Sequence, residues 1–316
     1  MASDHRPSEY DTRPGAVITK RRWHECALPY LLLTAAPLCW AGNIVLARGV
    51  IHIISPVGFA FWRWTAALVI LLPFTWSCVR RDWGRALRSW KIMAVLSVLG
   101  ISGFNTLLYT AVHTTTAING SLIQSSMPAV IILITLCLYR ERVLKTQLLG
   151  VLICIAGAAV IVLQGHWRTL LGLNFAQGDL LMILAVILYA LYSVLLRKRP
   201  DIHPLSFLTM TFGFGALGLL PLYIWEFSRN GYFGISADVL MSVLYVAVFP
   251  SIVAYFCWNR GIELIGPNRA GLFINFIPLF ASILAILLLG ETLQAFHIVG
   301  MMMICGGMVL FNAVKT

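Results

Sequence analysis

The apolar positions of this chain fall into ten long runs separated by short polar breaks. They lie at about residues 28–47, 57–77, 91–112, 117–139, 146–164, 178–197, 204–225, 237–259, 267–289 and 294–313. Each run is near the roughly 20 residues that carry a helix across a bilayer. None shows the period-two alternation of barrel strands. Lipid admits only helices and closed barrels, because backbone polar groups must be satisfied without water. The pattern therefore predicts an all-α membrane protein with ten transmembrane helices.

A second pattern lies over the first. The stretch from Ser121 to Leu163 is written again 150 residues later without a gap, so that Pro128 falls on Pro278, Glu141 on Glu291, Gly150 on Gly300 and Gly157 on Gly307. Earlier positions match at an offset of 148 or 149: Pro56 with Pro204, Pro73 with Pro221, Trp40 with Tyr189 and Asn43 with Tyr192. A repeat on this scale constrains the whole architecture. It divides the chain into a basic cytoplasmic tail (1–25), expected to be disordered, a first five-helix repeat (26–165) and a second (166–316).

Charge then orients the runs. With the N-terminus inside, nineteen lysines and arginines flank the inner ends of the runs and three, Arg48, Arg168 and Arg229, flank the outer ends. Cations gather on the cytoplasmic side, so both termini are expected in the cytoplasm. Five spans per copy is an odd number, which turns the second copy upside down. The turn around Glu141 keeps Arg140, Arg142 and Lys145, whereas the turn around Glu291 has no cation. Inverted repeats with broken helices are the build of secondary transporters, whose substrate sits near the midplane between the halves.

Polar and aromatic residues recur on single helix faces in both copies. Ser121, Gln124, Ser125 and Pro128 form one stripe on span four, and Asn275 with Pro278 repeats it on span nine. Asn105 and Tyr109 on span three answer Tyr255 and Asn259 on span eight; Trp40 and Asn43 on span one answer Tyr189 and Tyr192 on span six. Such groups do not face lipid. They either join helices, at about 0.6 kcal/mol each, or line a cavity, and three matched pairs favour the cavity. Apart from the two prolines, these twelve residues are the candidate substrate contacts. Pro128 and Pro278 are candidate gating kinks, since a mid-helix proline removes a hydrogen bond.

Charged residues refine the picture. Arg63, between Trp62 and Trp64, is the single cation inside a span. It could attract a carboxylate, but its position near the outer end favours snorkelling or stacking on tryptophan. No aspartate or glutamate lies near the middle of a span, so facilitated efflux is more economical than a proton relay. Glu141 and Glu291 are expected to cap the helices that follow them.

Composition agrees with a membrane protein: 59% hydrophobic, 11% charged, mean hydropathy +0.86, against roughly 25% charged in soluble domains. The net charge of +11 is read as cytoplasmic loops on anionic membrane lipid rather than as a nucleic-acid site. Seven scattered cysteines without C-x-x-C spacing suggest neither disulfides nor a metal site. No cofactor is expected. Gly213-x-Gly215-x-x-Gly218 spells a dinucleotide fingerprint but lies inside span seven, where helix packing explains it.

Each half resembles the EamA repeat of the drug/metabolite transporter superfamily. The resemblance is carried by Leu38-Cys39-Trp40-Ala41-Gly42-Asn43, Ser55-Pro56, Phe61-Trp62-Arg63, Pro128, Glu141, Gln147, Gly150 and Gly157 in the first half, and by Pro278, Gly290-Glu291, Gly300 and Gly307 in the second. Arg140 stands where the second copy has Gly290, a departure from the usual Gly-Glu pair. The resemblance implies ten helices around a central cavity in a bacterial inner membrane and export of amino acids or small metabolites. Within the family the chain is most similar to exporters of aromatic amino acids. The alternatives are a proton-coupled exporter of drugs or other metabolites and, outside transport, an intramembrane enzyme. The oligomeric state is left open; glycine-rich spans five and ten could pack within the protomer or form a dimer seam.

Overall fold

The computed structural model describes residues 18–50, 55–115, 117–141, 143–172, 177–230, 236–289 and 294–313. Among them no strand occurs, and ten helical rods can be followed. They are α1 (Ile18–Val50), α2 (Pro56–Arg88), α3 (Trp90–Thr114), α4 (Asn119–Tyr139), α5 (Lys145–Val162), α6 (Gln177–Lys198), α7 (Pro204–Asn230), α8 (Ala237–Ile265), α9 (267–289) and α10 (Ala295–Ala313). Eight of the ten, all but α1 and α9, are long and apolar enough to cross a membrane by their own composition. α1 carries Lys20, Arg21 and Arg22 near its start, and α9 is assembled from three short segments.

Two boundaries differ from the sequence reading. The first helix begins at Ile18, so the end of the basic segment is helical; residues 1–17 lie outside the described residues. α2 runs on to Arg88 through what reads as a basic loop. Its inward stripe does not stop with the apolar run: Val79, Asp82 and Ala86 are buried while Arg80, Arg81, Arg85 and Arg88 point away. Spacing of three and four keeps the stripe on one helical face.

Several rods are broken in their middle. α3 contains a π-helical stretch at Val98–Ser102, and α8 one at Ala247–Val253. π-Helix is rare and concentrates at functional sites. α4 breaks at Ser126, and Pro128 opens the segment Met127–Tyr139, where a missing amide costs nothing. α9 passes through a 3-10 turn, Leu272–Asn275, just before Pro278. The prolines thus start second segments instead of bending continuous helices.

Glycine sets the closest approach. A Cβ at Gly150 would lie 2.7 Å from the Gly307 carbonyl oxygen and one at Gly307 2.6 Å from that of Gly150. Gly157 and Gly300 are related in the same way, at 2.8 and 2.7 Å. Between the two crossings the Cys154 thiol donates to the Ile304 carbonyl at 3.3 Å. α5 and α10 therefore pack antiparallel with backbones nearly in contact, and this glycine seam lies within the protomer. Small residues permit such approach where the hydrophobic effect is silent.

α2 and α7 form a second antiparallel pair, and each caps the other. Glu226 of α7 accepts from Ser55 Oγ and, at 2.9 Å, from the Gly58 amide at the start of α2. Asp82 of α2 accepts from the His203 amide at 2.9 Å and Ser206 Oγ at 2.7 Å at the start of α7. A carboxylate at a helix N-terminus satisfies orphan amides and faces the positive end of the dipole. The remaining rods exchange neighbours in matched fashion: α1 packs on α8 and α9, and α6 on α3 and α4.

Candidate functional site

The polar residues chosen from the sequence separate into two places. Trp40, Asn105, Tyr109, Tyr189, Tyr192, Tyr255 and Asn259 gather in the core, while Ser121, Gln124, Ser125 and Pro278 line a cavity elsewhere.

The core cluster is organised by Arg63. The expectation that this side chain snorkels is overturned: it is 2% exposed. Its Nε donates to Ser251 Oγ at 2.6 Å, and Nη1 to Asn105 Oδ1 at 3.2 Å and Tyr109 Oη at 2.7 Å. Nη2 donates to the Pro250 carbonyl at 3.0 Å. Stacking on tryptophan does occur, with the guanidinium carbon 4.8 Å from the Trp64 ring centroid. The planar fork explains the burial, since its fixed donors reach partners on two other helices, α3 and α8, at once.

The π-helical stretches supply two of the acceptors. Pro250 has no amide to offer the Val246 carbonyl, so Ser251 Oγ donates to it at 2.7 Å. The Pro250 carbonyl accepts from Arg63 and, at 3.1 Å, from Trp40 Nε1. In α3 the Gly100 carbonyl accepts from Tyr255 Oη. Tight packing exposes these turns to the cluster: a Cβ at Gly100 would lie 2.6 Å from the Tyr192 ring, and one at Gly215 of α7 2.3 Å from Ile101. Gly215 serves helix packing, as its position inside a span implies.

Aromatic rings close the cluster. Trp40 lies 5.8 Å from Tyr189, 6.2 Å from Tyr255 and 5.4 Å from Trp258, all edge-on. Trp64 meets Tyr255 at 5.0 Å and Phe212 at 4.8 Å. Tyr192 Oη donates to Asn259 Oδ1 at 2.7 Å. Trp64 Nε1, Asn259 Nδ2 and Tyr189 Oη are buried without a hydrogen-bond partner.

The second place is a cavity of about 330 Å³ lined by Ser121, Gln124, Ser125, Gln164, His166 and Thr169, with Pro278 and Ser282 of α9 opposite. Asn275 is not on its wall; it is fully buried one turn before Pro278, with neither amide atom partnered. Pro128 is not on the wall either. It packs on Gly271, where a Cβ would lie 3.6 Å from the proline Cα and 2.9 Å from Ile131. Asn43 is buried on α1 and its Oδ1 has no partner.

Glu141 does not cap α5. The Leu144 amide there is taken by Gln147 Oε1 at 3.1 Å. Glu141 accepts instead from both terminal nitrogens of Arg197 and from Asn268 Nδ2 at 3.4 Å. The cause lies one residue earlier: Arg140 ends α4 at φ 54°, and the chain turns the carboxylate toward α6. Glu263 joins Arg199 and Arg260 at 2.6 Å each near the same end. Glu291 lies outside the described residues.

Sequence reasoning missed Ser251 and Trp258 in the cluster, and Asp82 and Glu226 as caps. Trp64 is read from the sequence as a stacking partner of Arg63, and the guanidinium does lie over its ring. Ser251 carries no signal except its place after Pro250.

The EamA-like transporter family matches the chain twice, over residues 27–163 and 176–313. Among relatives, the uncharacterized transporter YyaM of Bacillus subtilis is 27% identical, covering 90% of this chain and 93% of its own. The uncharacterized transporter YetK of the same organism is 26% identical over 97% and 92%. A solved crystal structure with 17% identity superposes at a TM-score of 0.73 over 90% of this chain and 96% of the other, which speaks to the fold. With two family matches that together span almost every described residue, the chain belongs to the EamA-like transporter family, and it is a multi-pass membrane transporter.

Proposed function

We propose that the protein exports amino acids or related small metabolites across a bacterial inner membrane by alternating access of two inverted five-helix repeats, with both termini cytoplasmic. One observation carries this reading. Under the sequence offset of 150, Ser121 and Pro278 correspond to Gly271 and Pro128. The first pair lines a cavity of about 330 Å³, whereas the second pair is packed shut. Equivalent places in the two halves are in opposite states, and interchanging those states opens the other side. The glycine contacts obey the same exchange, since 150 against 307 becomes 300 against 157.

In the orientation that the cation count predicts, the cavity lies toward the outside, and the pairs at Glu141 and Glu263 close the cytoplasmic side. The described residues hold no buried carboxylate in the Arg63 cluster, which fits facilitated efflux.

Purified protein in liposomes, tested with a panel of radiolabelled amino acids with and without a pH gradient, checks the proposal. Saturable flux of at least one amino acid is expected. Gln124→Ala and Tyr189→Ala are each expected to lower that flux by on the order of tenfold with folding intact, the scale of a lost positioning contact. No flux with any member of the panel refutes the substrate class; a flux that needs the gradient replaces efflux by coupling.

A further inference from the structure

We infer that Arg63 and the aromatic cluster around it form a binding site for a carboxylate carried on an apolar or aromatic body. The inference deepens the export reading by naming the chemical group that its substrate presents.

The first ground is charge. Arg63 is buried in a span, yet its recorded partners are two side-chain hydroxyls, an amide oxygen and a backbone carbonyl. No ion pair to it occurs among the described residues. Burial of a cation beside neutral dipoles leaves a desolvation cost only partly offset. An anion entering the cluster would offset it.

The second ground is the hydrogen-bond balance. Trp64 Nε1 can only donate, and Asn259 Nδ2 donates two hydrogens; both are buried and unused. The nearby acceptors are already engaged: the Pro250 carbonyl twice, the Gly100 carbonyl by Tyr255 and Asn259 Oδ1 by Tyr192. The cluster therefore has N–H donors left over. A carboxylate brings only acceptors and matches the guanidinium fork.

The third ground is the wall. Trp40, Trp64, Phe212, Tyr189, Tyr255 and Trp258 form a wall of rings whose neighbouring centroids lie 4.8 to 6.2 Å apart. That surface suits an apolar or aromatic body. The cluster is shut in the present state, and the π-helical stretches at Val98–Ser102 and Ala247–Val253 lie at its edge.

The test uses the full chain in lipid nanodiscs and two probes of one shape: radiolabelled 3-phenylpropionate and its neutral amide, 3-phenylpropanamide. Scintillation-proximity binding is expected to favour the carboxylate by on the order of tenfold or more, the value of a charge-assisted contact. Arg63→Lys keeps the charge but loses the fork, and should weaken carboxylate binding more than amide binding. Arg63→Gln should erase the preference. If the glutamine variant does not fold by thermal unfolding, the lysine variant decides. Equal affinity for both probes, no binding of either, or an equal loss of both in Arg63→Lys would overturn the inference. A charge-dependent preference without amino acid flux in liposomes would leave the site standing and remove the export reading.

Discussion

At φ 54° Arg140 holds a backbone conformation that favours glycine, the residue found at the corresponding position 290. For an L side chain that region is about 1–2 kcal/mol less favourable. Arg140 is exposed, so its side chain has little packing to lose. Arg140→Gly is therefore expected to stabilise the protein by about 1 kcal/mol, read as a shift in the midpoint of reversible unfolding in mixed micelles. Asp82 is the opposite case. It is buried and holds two donors at the start of α7, and Asp82→Ala strands both. A loss of about 2–3 kcal/mol is expected, and the same unfolding measurement would show it; a change below about 0.5 kcal/mol would mean that water replaces the carboxylate. Arg63 marks the limit of reading at this scale. Its place inside an apolar run was visible, but its partners Asn105, Tyr109 and Ser251 stand 42, 46 and 188 residues away. A snorkelling arginine and a buried one have the same local sequence, and only tertiary packing separates them.

Helices were legible because lipid makes the apolar run and the helix coincide, so each of the ten runs became a rod. The internal breaks were less so. A π-helical turn shifts the hydrogen-bond partner by one residue without changing which residues are apolar, and Val98–Ser102 contains no proline to announce it. The glycine seam between α5 and α10 was visible as composition, while its choice between protomer and dimer needed geometry. That geometry makes a sharp expectation. A Cβ at Gly157 would sit 2.8 Å from both the Gly300 carbonyl oxygen and Met303 Cβ, so Gly157→Ala must push the rods apart and should cost about 1–3 kcal/mol. At Gly306, on the same helix as Gly300, nothing lies within 4 Å. Gly306→Ala should be neutral or stabilising by up to about 1 kcal/mol. Equal effects of the two substitutions in the unfolding assay would deny that the seam is where the helices meet.

In the molecule as a whole, the two ends are held differently. Near Glu141 the closure is ionic: Arg197 on Glu141, and Arg199 with Arg260 on Glu263. These side chains are partly exposed, 30% and 41% for the Arg197–Glu141 pair, and exposed pairs are worth about 0–1 kcal/mol each. Removing both carboxylates in Glu141→Gln/Glu263→Gln should therefore weaken that closure by about 1–2 kcal/mol, a factor of roughly 5–30 in the balance of states. Because the states at the two ends are proposed to interchange, loosening this end must shut the cavity beside Ser121 and Ser282. A cysteine introduced at either position, in a chain whose exposed Cys137 and Cys305 are replaced, reports the cavity by its labelling rate with an impermeant maleimide from the Gln164 side. That rate is expected to fall in the double variant by several-fold, within the roughly 5–30-fold range that 1–2 kcal/mol allows. If labelling stays constant while the ion pairs are gone, the two ends move independently, and a single rocking of one half against the other cannot describe how this transporter works.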